Sequence, residues 1–213
     1  MSETTHPAAA RHDLHALCDR LGLGRDIAYD DHWSAAADFL QLIVDHALTE
    51  KTETVVECSS GATTLMLARC CERNGRGKVF SLENGAEFAA NTRAELVRFG
   101  LEPWAQVIDA PLIERNIEAR TFQWYALDRL PERPIDMLVI DGPPGFLQRH
   151  SRYPALPLLF DRLAEGATVF LDDAARPDER ELVAAWLRAY PALTHRYIAA
   201  ERGCSILRKT GRS

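Results

Sequence analysis

No stretch of this chain approaches the roughly 20 consecutive apolar residues of a membrane-spanning helix, and the opening MSETTHPAAARHD lacks the apolar core of a secretory signal. The expectation is a cytoplasmic protein with no membrane partner. No basic run makes a phosphate-tracking stripe, and 25 Lys and Arg against 31 Asp and Glu leave a net charge of −6. Nucleic acid is therefore not an expected partner. The five cysteines, Cys18, Cys58, Cys70, Cys71 and Cys204, are odd in number and have neither disulfide nor zinc spacing, which leaves them as small buried or half-buried thiols. Internal repeats and low-complexity linkers are also missing. At 213 residues the chain has room for one sizeable core and is short for two.

What is present is an alternation of strand-like and helix-like segments. Residues 1–10 read as a polar, alanine-rich flexible tail, and 11–213 as one domain with helices in 11–50 and a Rossmann-like core in 51–213. From Trp33 to Leu48, Phe39, Leu40, Ile43, Val44 and Ala47 fall on one helical stripe. Then come short apolar runs with β-branched content: TVVEC at 54–58, KVFSLE at 78–83, AQVID at 105–109, IDMLVID at 135–141 and ATVFLDD at 167–173. Runs this continuous suit strands covered on both faces, and their alternation with helices suits parallel pairing. Near the end, HRYIAA and CSILRK are separated only by ERG, a hairpin spacing that makes the last strand antiparallel. The fold class is α/β, doubly wound, with helices on both faces of a mostly parallel sheet.

Each of the five runs reaches an acid at its carboxyl end: Glu57, Glu83, Asp109, Asp141 and Asp172. Ligands of open α/β sheets bind beyond this edge. A ring of acids there suits hydroxyl-rich or cationic ligands better than phosphates. After Glu57, the residues Cys58, Ser59, Ser60 and Gly61 make a turn into a helix from Ala62 to Glu72, leaving the first helical N–H groups free for an acceptor. The turn lacks both the lysine of a P-loop and the full G-x-G-x-x-G of a dinucleotide site. On its own it is equally well a tight strand-to-helix connection. Glu83, 26 residues after Glu57, stands where an acid of such a fold accepts the hydroxyls of an adenosine ribose; its structural alternative is a charge at the N-terminus of the helix from Ala86 to Phe99.

From Thr54 to Lys209 the pieces VVECSSGATTLMLA, VFSLENGAEFAANTRAEL, VIDAPL, DMLVIDGPPG, RYPALPLL and ATVFLDDAARPDER, in this order, resemble the class I S-adenosylmethionine-dependent methyltransferases. The resemblance implies a seven-stranded sheet with an antiparallel last strand and S-adenosyl-L-methionine as cofactor. It also implies that Glu57, Ser59, Ser60 and Gly61 lie under the methionine part, Glu83 at the ribose, Asp109 and Ala110 beside the adenine, and Asp141 at the methyl-transfer site. The family usually has glycine where this chain has Ser59, so a positive φ there would strain the serine.

Methyl transfer from a sulfonium needs a nucleophile held in line at about 3 to 3.5 Å, and a hydroxyl nucleophile must also lose a proton. Asp141 suits a catalytic base. With Asp172 and Asp173 it is also similar to the oxygen ligands of catechol-type metal-dependent O-methyltransferases, which usually show Asp-Asn rather than Asp-Asp. Mg²⁺ is the less favoured arrangement; without it, Arg176 or protonation of one acid must offset the three carboxylates. The loop DGPPGFLQRHSRYPALP carries Arg149, His150, Arg152 and Tyr153, which either meet an acceptor or are scattered solvated charge. Trp124 and Tyr125 either cover a ligand or are a buried pair under a connection.

The leading expectation is thus O-methylation of a small-molecule acceptor. A nicotinamide-dependent oxidoreductase and a non-catalytic binding protein that keeps the fold stand as alternatives. A homo-oligomer is compatible with all three.

Overall fold

A computed structural model describes residues 7–24, 27–29 and 34–211. Two helices, α1 (Pro7–Leu21) and α2 (Ala37–Glu50), precede an alternating core. Its first half is β1 (Thr54–Cys58), α3 (Ala62–Asn74), β2 (Lys78–Glu83), α4 (Ala86–Arg98) and β3 (Ala105–Asp109). A hairpin of β4 (Leu112–Ile117) and β5 (Arg120–Tyr125) follows, then β6 (Ile135–Ile140), the short α5 (Ala155–Leu159), β7 (Leu163–Leu171), α6 (Pro177–Ala189), β8 (Leu193–Ile198) and β9 (Cys204–Lys209). Of the tail expected at 1–10, residues 7–10 lie in α1, and residues 1–6 lie outside the described residues. The stripe expected from Trp33 is α2, with Phe39, Leu40, Ile43, Val44 and Ala47 buried; Trp33 itself lies outside the described residues.

The main sheet has seven strands in the order β3-β2-β1-β6-β7-β9-β8. Pairings across β3, β2, β1, β6 and β7 are parallel, and β9 runs antiparallel to both of its neighbours. Period-two alternation in the strands feeds two cores. Val55, Met137 and Val139 point to the side covered by α1, α2 and α3, while Val56, Leu138 and Ile140 point to the side of β5, α5 and α6. Both faces are covered, which is why these strands read as near-continuous apolar runs. All five cysteines are free and buried, and among the described residues no helix is long and apolar enough to cross a membrane.

This topology places the site. The chain leaves β1 toward β2 on one side and later returns to β6 on the other, so the order reverses between β1 and β6. Their carboxyl ends carry Ser59–Gly61 and Asp141, and the connections diverge there to leave a crevice. Gly142 lets the two ends approach. A Cβ at this position would lie 2.3 Å from Tyr125 Oη and 3.2 Å from Cys58 O. Tyr125 and Trp124 are fully buried, so of the two readings of this pair the structure shows the buried one.

Candidate active site

The turn after β1 is built on Glu57, which is completely buried on the α3 side of the sheet. Thr63 Oγ1 donates to its Oε1, while Thr64 Oγ1 (2.6 Å) and Ser81 Oγ (2.7 Å) donate to Oε2. Thr64 Oγ1 in turn accepts the Gly61 N–H at 3.1 Å. One carboxylate thus joins β1, β2 and the first turn of α3. Burial opposes its charge and, even with three hydroxyl donors pulling the other way, pushes its pKa up to about 7. Glu57 is a support beneath the turn and does not line the cavity above it.

Above that support, Ser59 has φ +115° and Gly61 φ +146°. The strain expected of serine at a glycine-type position is present. Ser59 N–H donates to Leu82 O at 3.0 Å, which fixes the turn against β2. Ser60 Oγ donates to Glu83 Oε2 at 2.8 Å, and Gly85 N–H donates to Glu83 Oε1 at 2.8 Å. A cavity of about 360 Å³ opens over Ser59, Ser60 and Gly61, closed at its sides by Tyr29, Phe88 and Asp141. A Cβ on Gly61 would meet nothing within 4 Å, so open space faces the backbone there. Glu83, only 7% exposed, stands directly behind Ser60.

Asp109 and Ala110 do not join this lining. Ala110 N–H bonds Glu83 O at 2.8 Å, and the half-exposed Asp109 carboxylate pairs with Arg93 at 2.6 Å and Arg129 at 3.6 Å. Tyr29 and Phe88 are wall residues that sequence reasoning missed. The available signal for Phe88 was an aromatic on the otherwise polar face of α4, where it is 54% exposed.

A second cavity, about 530 Å³, adjoins the first and is lined by Asp141, Phe146, Arg152, Asp173, Arg176 and Glu179 among others. Asp141 borders both. The carboxylate oxygens of Asp141, Asp172 and Asp173 approach within 4.8 Å of one another. What offsets them is Arg152, which is 3% exposed. Its Nη2 donates to Asp173 Oδ2 (2.8 Å), Asp141 O (2.6 Å) and Asp141 Oδ1 (3.2 Å), and its Nη1 to Asp172 O (2.9 Å). Arg176 reaches Asp173 Oδ2 at 2.8 Å from the solvent side, the structural role expected for it.

Asp172 Oδ1 accepts the Asp173 N–H at 2.8 Å, whereas its Oδ2 is buried with no hydrogen-bond partner among the described residues. Burial, with Asp141 and Asp173 nearby, holds this carboxyl well above the usual range. Burial also raises Asp141, to about 6, against the pull of Arg152. At neutral pH Asp141 is mostly ionised. Of the acids expected at this edge, Asp109, Asp141 and Asp173 pair with arginines.

A divalent cation at the three aspartates does not fit this arrangement. An ion within about 2.1 Å of Asp141 and Asp173 would compete for lone pairs that Arg152 holds and would face its fixed charge at hydrogen-bonding range. His150 does not face the cavities either. Its ring bridges Glu181 (2.8 Å) and Arg120 (3.1 Å), which ties the loop to α6, while Tyr153 stacks between Phe122 and Trp186.

A switch-point cleft over a glycine turn, in a sheet with this strand order, defines a Rossmann-like ligand-binding protein. The chain belongs to the methyltransferase-domain family, whose model matches residues 56–174, more than half of its length. Among solved structures it is similar to the S-adenosylhomocysteine-bound methyltransferase PaMTH1 of Podospora anserina, with a TM-score of 0.66 and 15% identity over 93% of this chain and 88% of that one. The Bacillus cereus O-methyltransferase in complex with S-adenosylhomocysteine aligns with a TM-score of 0.60 and 15% identity, covering 93% and 91%. TomG from Streptomyces achromogenes, an O-methyltransferase of tomaymycin synthesis solved with S-adenosylmethionine, gives 0.60 and 15% over 95% and 90%. At these identities the likeness is one of fold. No curated protein matches the chain in sequence.

Two outcomes follow from the turn. Ser59→Gly relieves a positive φ and should raise stability by about 1 kcal/mol in denaturant melts, after allowing for the greater unfolded-state freedom of glycine; a loss of stability would show that the serine side chain makes a contact the turn needs. For Glu57 the folded pKa lies above the unfolded value of 4.5. The native state therefore holds a proton that the unfolded chain releases, a contribution fully present below pH 4.5 and lost as pH rises through about 7. Relative to Glu57→Gln, wild type should lose on the order of 3 kcal/mol across that window, and parallel pH–stability curves for the two proteins would contradict the assignment.

Proposed function

We propose that the protein is an S-adenosylmethionine-dependent methyltransferase that acts on a hydroxyl oxygen of a small molecule. The observation that carries this reading is that one carboxylate, Asp141, borders two adjoining cavities, one over the turn after β1 and one over the loop after β6. A two-substrate transfer needs that shared boundary. The residues of the first cavity suit the cofactor. The open backbone at Gly61 admits the methionine part, and behind Ser60, outside the lining itself, each Glu83 oxygen accepts one hydrogen bond while retaining a further acceptor position for a ribose hydroxyl. Ala110 and Asp109, at the next strand end, lie outside this lining, and only the likeness to the methyltransferase family makes them candidates for the adenine edge. The O-methyltransferases to which the fold is similar support oxygen as the acceptor atom.

When bound, the cofactor supplies an electrophilic methyl group on a sulfonium centre. The chain's own part is placement and proton handling. Asp141, ionised at neutral pH and beside the acceptor cavity, takes the hydroxyl proton on a carboxylate oxygen. Arg152 fixes its orientation through one hydrogen bond to the Asp141 backbone carbonyl and one to Oδ1. Phe146, 75% exposed at the mouth of the second cavity, offers an apolar surface for the body of the acceptor.

S-adenosylhomocysteine at a hundredfold excess over its Kd should raise the melting temperature by roughly 5–10 °C, because it binds only the folded state. Glu83→Ala should remove most of that rise. An unchanged rise in Glu83→Ala would refute the ribose assignment, and a rise with NAD in place of S-adenosylhomocysteine would refute the cofactor.

A further inference from the structure

The structure assigns Arg152 the place of a divalent cation: its buried guanidinium is a built-in counter-charge for the carboxylates at the ends of β6 and β7, so this site works without metal. The catalytic part of this inference rests on the methyl-transfer reading above. The metal-binding part does not.

The case begins with charge. Three carboxyl groups within 4.8 Å of one another are a ready cation site, and a divalent ion takes such oxygens at about 2.1 to 2.6 Å. Here the charge is already matched. Arg152 lies against the carboxylates of both Asp141 and Asp173, and Arg176 meets Asp173 as well. The four hydrogen bonds of Arg152 go to the carboxylates of Asp141 and Asp173 and to the carbonyls of Asp141 and Asp172, the same oxygen-rich wall that a hard cation would use.

The guanidinium is also anchored against displacement. Ser151, on one side of it in the chain, is buried and donates to Pro143 O at 3.0 Å. Tyr153, on the other side, stacks on Phe122 and Trp186, and its carbonyl accepts the Trp186 indole N–H at 3.0 Å. Ser151 and Tyr153 thus fix the backbone from which Arg152 reaches the site, and its own four hydrogen bonds hold the guanidinium there. An arginine cannot escape by losing its proton. The consequence for the acceptor is a choice of chemistry. A metal gathers two neighbouring oxygens of one ligand, whereas a guanidinium fixed on two carboxylates and two carbonyls leaves Asp141 to receive a single hydroxyl. The substrate class is therefore a lone hydroxyl, with no need for an adjacent second oxygen.

The test is Mn²⁺ binding to the full chain after exhaustive chelation, read by calorimetry and by the electron paramagnetic signal of the free ion. Wild type should leave millimolar Mn²⁺ unbound and should keep its melting temperature when chelator is added. Arg152→Met should gain an Mn²⁺ site, tightened on the order of a hundredfold or more by removal of one positive charge from hydrogen-bonding range, and the added metal should raise its melting temperature. That gain should vanish in Arg152→Met/Asp141→Asn. A merely structural arginine would lose stability on replacement without creating a metal response.

Arg152→Met that folds and takes up no Mn²⁺ would overturn the inference. So would wild-type protein that binds Mn²⁺ and loses it in Asp141→Asn. Should Arg152→Met prove insoluble, the wild-type arm decides: an undiminished free-ion signal supports the built-in cation, a quenched one contradicts it. S-adenosylhomocysteine binding is measured separately in the same samples, so failure of the cofactor reading leaves the metal result standing.

Discussion

The buried carboxylate of Glu57 is the constraint on which the rest of the edge depends. Three hydroxyls, from Thr63, Thr64 and Ser81, converge on it from α3 and β2. Each comes from an element that borders the crevice, so the knot sets where α3 begins and how far β1 and β2 can shift against each other. An apolar residue at this position would bury as well but would leave those hydroxyls without their acceptor. Because the group is buried its ionisation is costly, more than its three hydroxyl donors offset, and that cost is the origin of its raised pKa. Stability is given up at neutral pH for a turn that holds Ser59 at a φ serine rarely adopts.

Charge at the neighbouring strand ends is handled by a different device. Carboxylates cluster at the ends of β6 and β7 because ligand-facing residues of this topology collect there, and crowding alone would leave them repelling. Arg152 and Arg176, one buried and one half exposed, both reach Asp173 Oδ2, and burial raises the pKa of Asp172. The result is a site with one ionised, oriented carboxylate at the junction of two cavities. Sequence, local geometry and function connect at Asp141: the strand delivers it, the arginine orients it, and the switch point gives it two neighbours to serve.

The five parallel strands were legible because strands covered on both faces become continuous apolar runs, and the final hairpin because ERG separates two strand-like runs. The hairpin of β4 and β5 was not, since its turn, Glu118-Ala119, contains no glycine or asparagine and places Glu118 at φ +54° instead. At the site, Ser59, Ser60, Gly61 and Asp141 were readable from their positions after β1 and β6, and the structure puts all four around one cavity. Glu57 was readable as an acid at a strand end but not as an interior support, because that depends on which way Thr63, Thr64 and Ser81 face. Arg152 was the least visible. It sits two and three residues after His150, whose ring is tied to Glu181 and Arg120, and the exposed Arg149, and only the tertiary packing shows that it alone of the three reaches the strand-end carboxylates.

The central claim is that the turn supported by Glu57, together with Glu83, forms the cofactor site, with Asp141 at its border. The most direct measurement is a backbone amide NMR titration of the full chain with S-adenosylhomocysteine. The account predicts saturable shifts concentrated at Ser59–Ala62, at Glu83–Gly85 and at Asp141. Shifts confined to another face of the sheet, such as the cavity lined by His46, Thr52 and Arg208 at the opposite strand ends, or no saturable shifts at all, would contradict it.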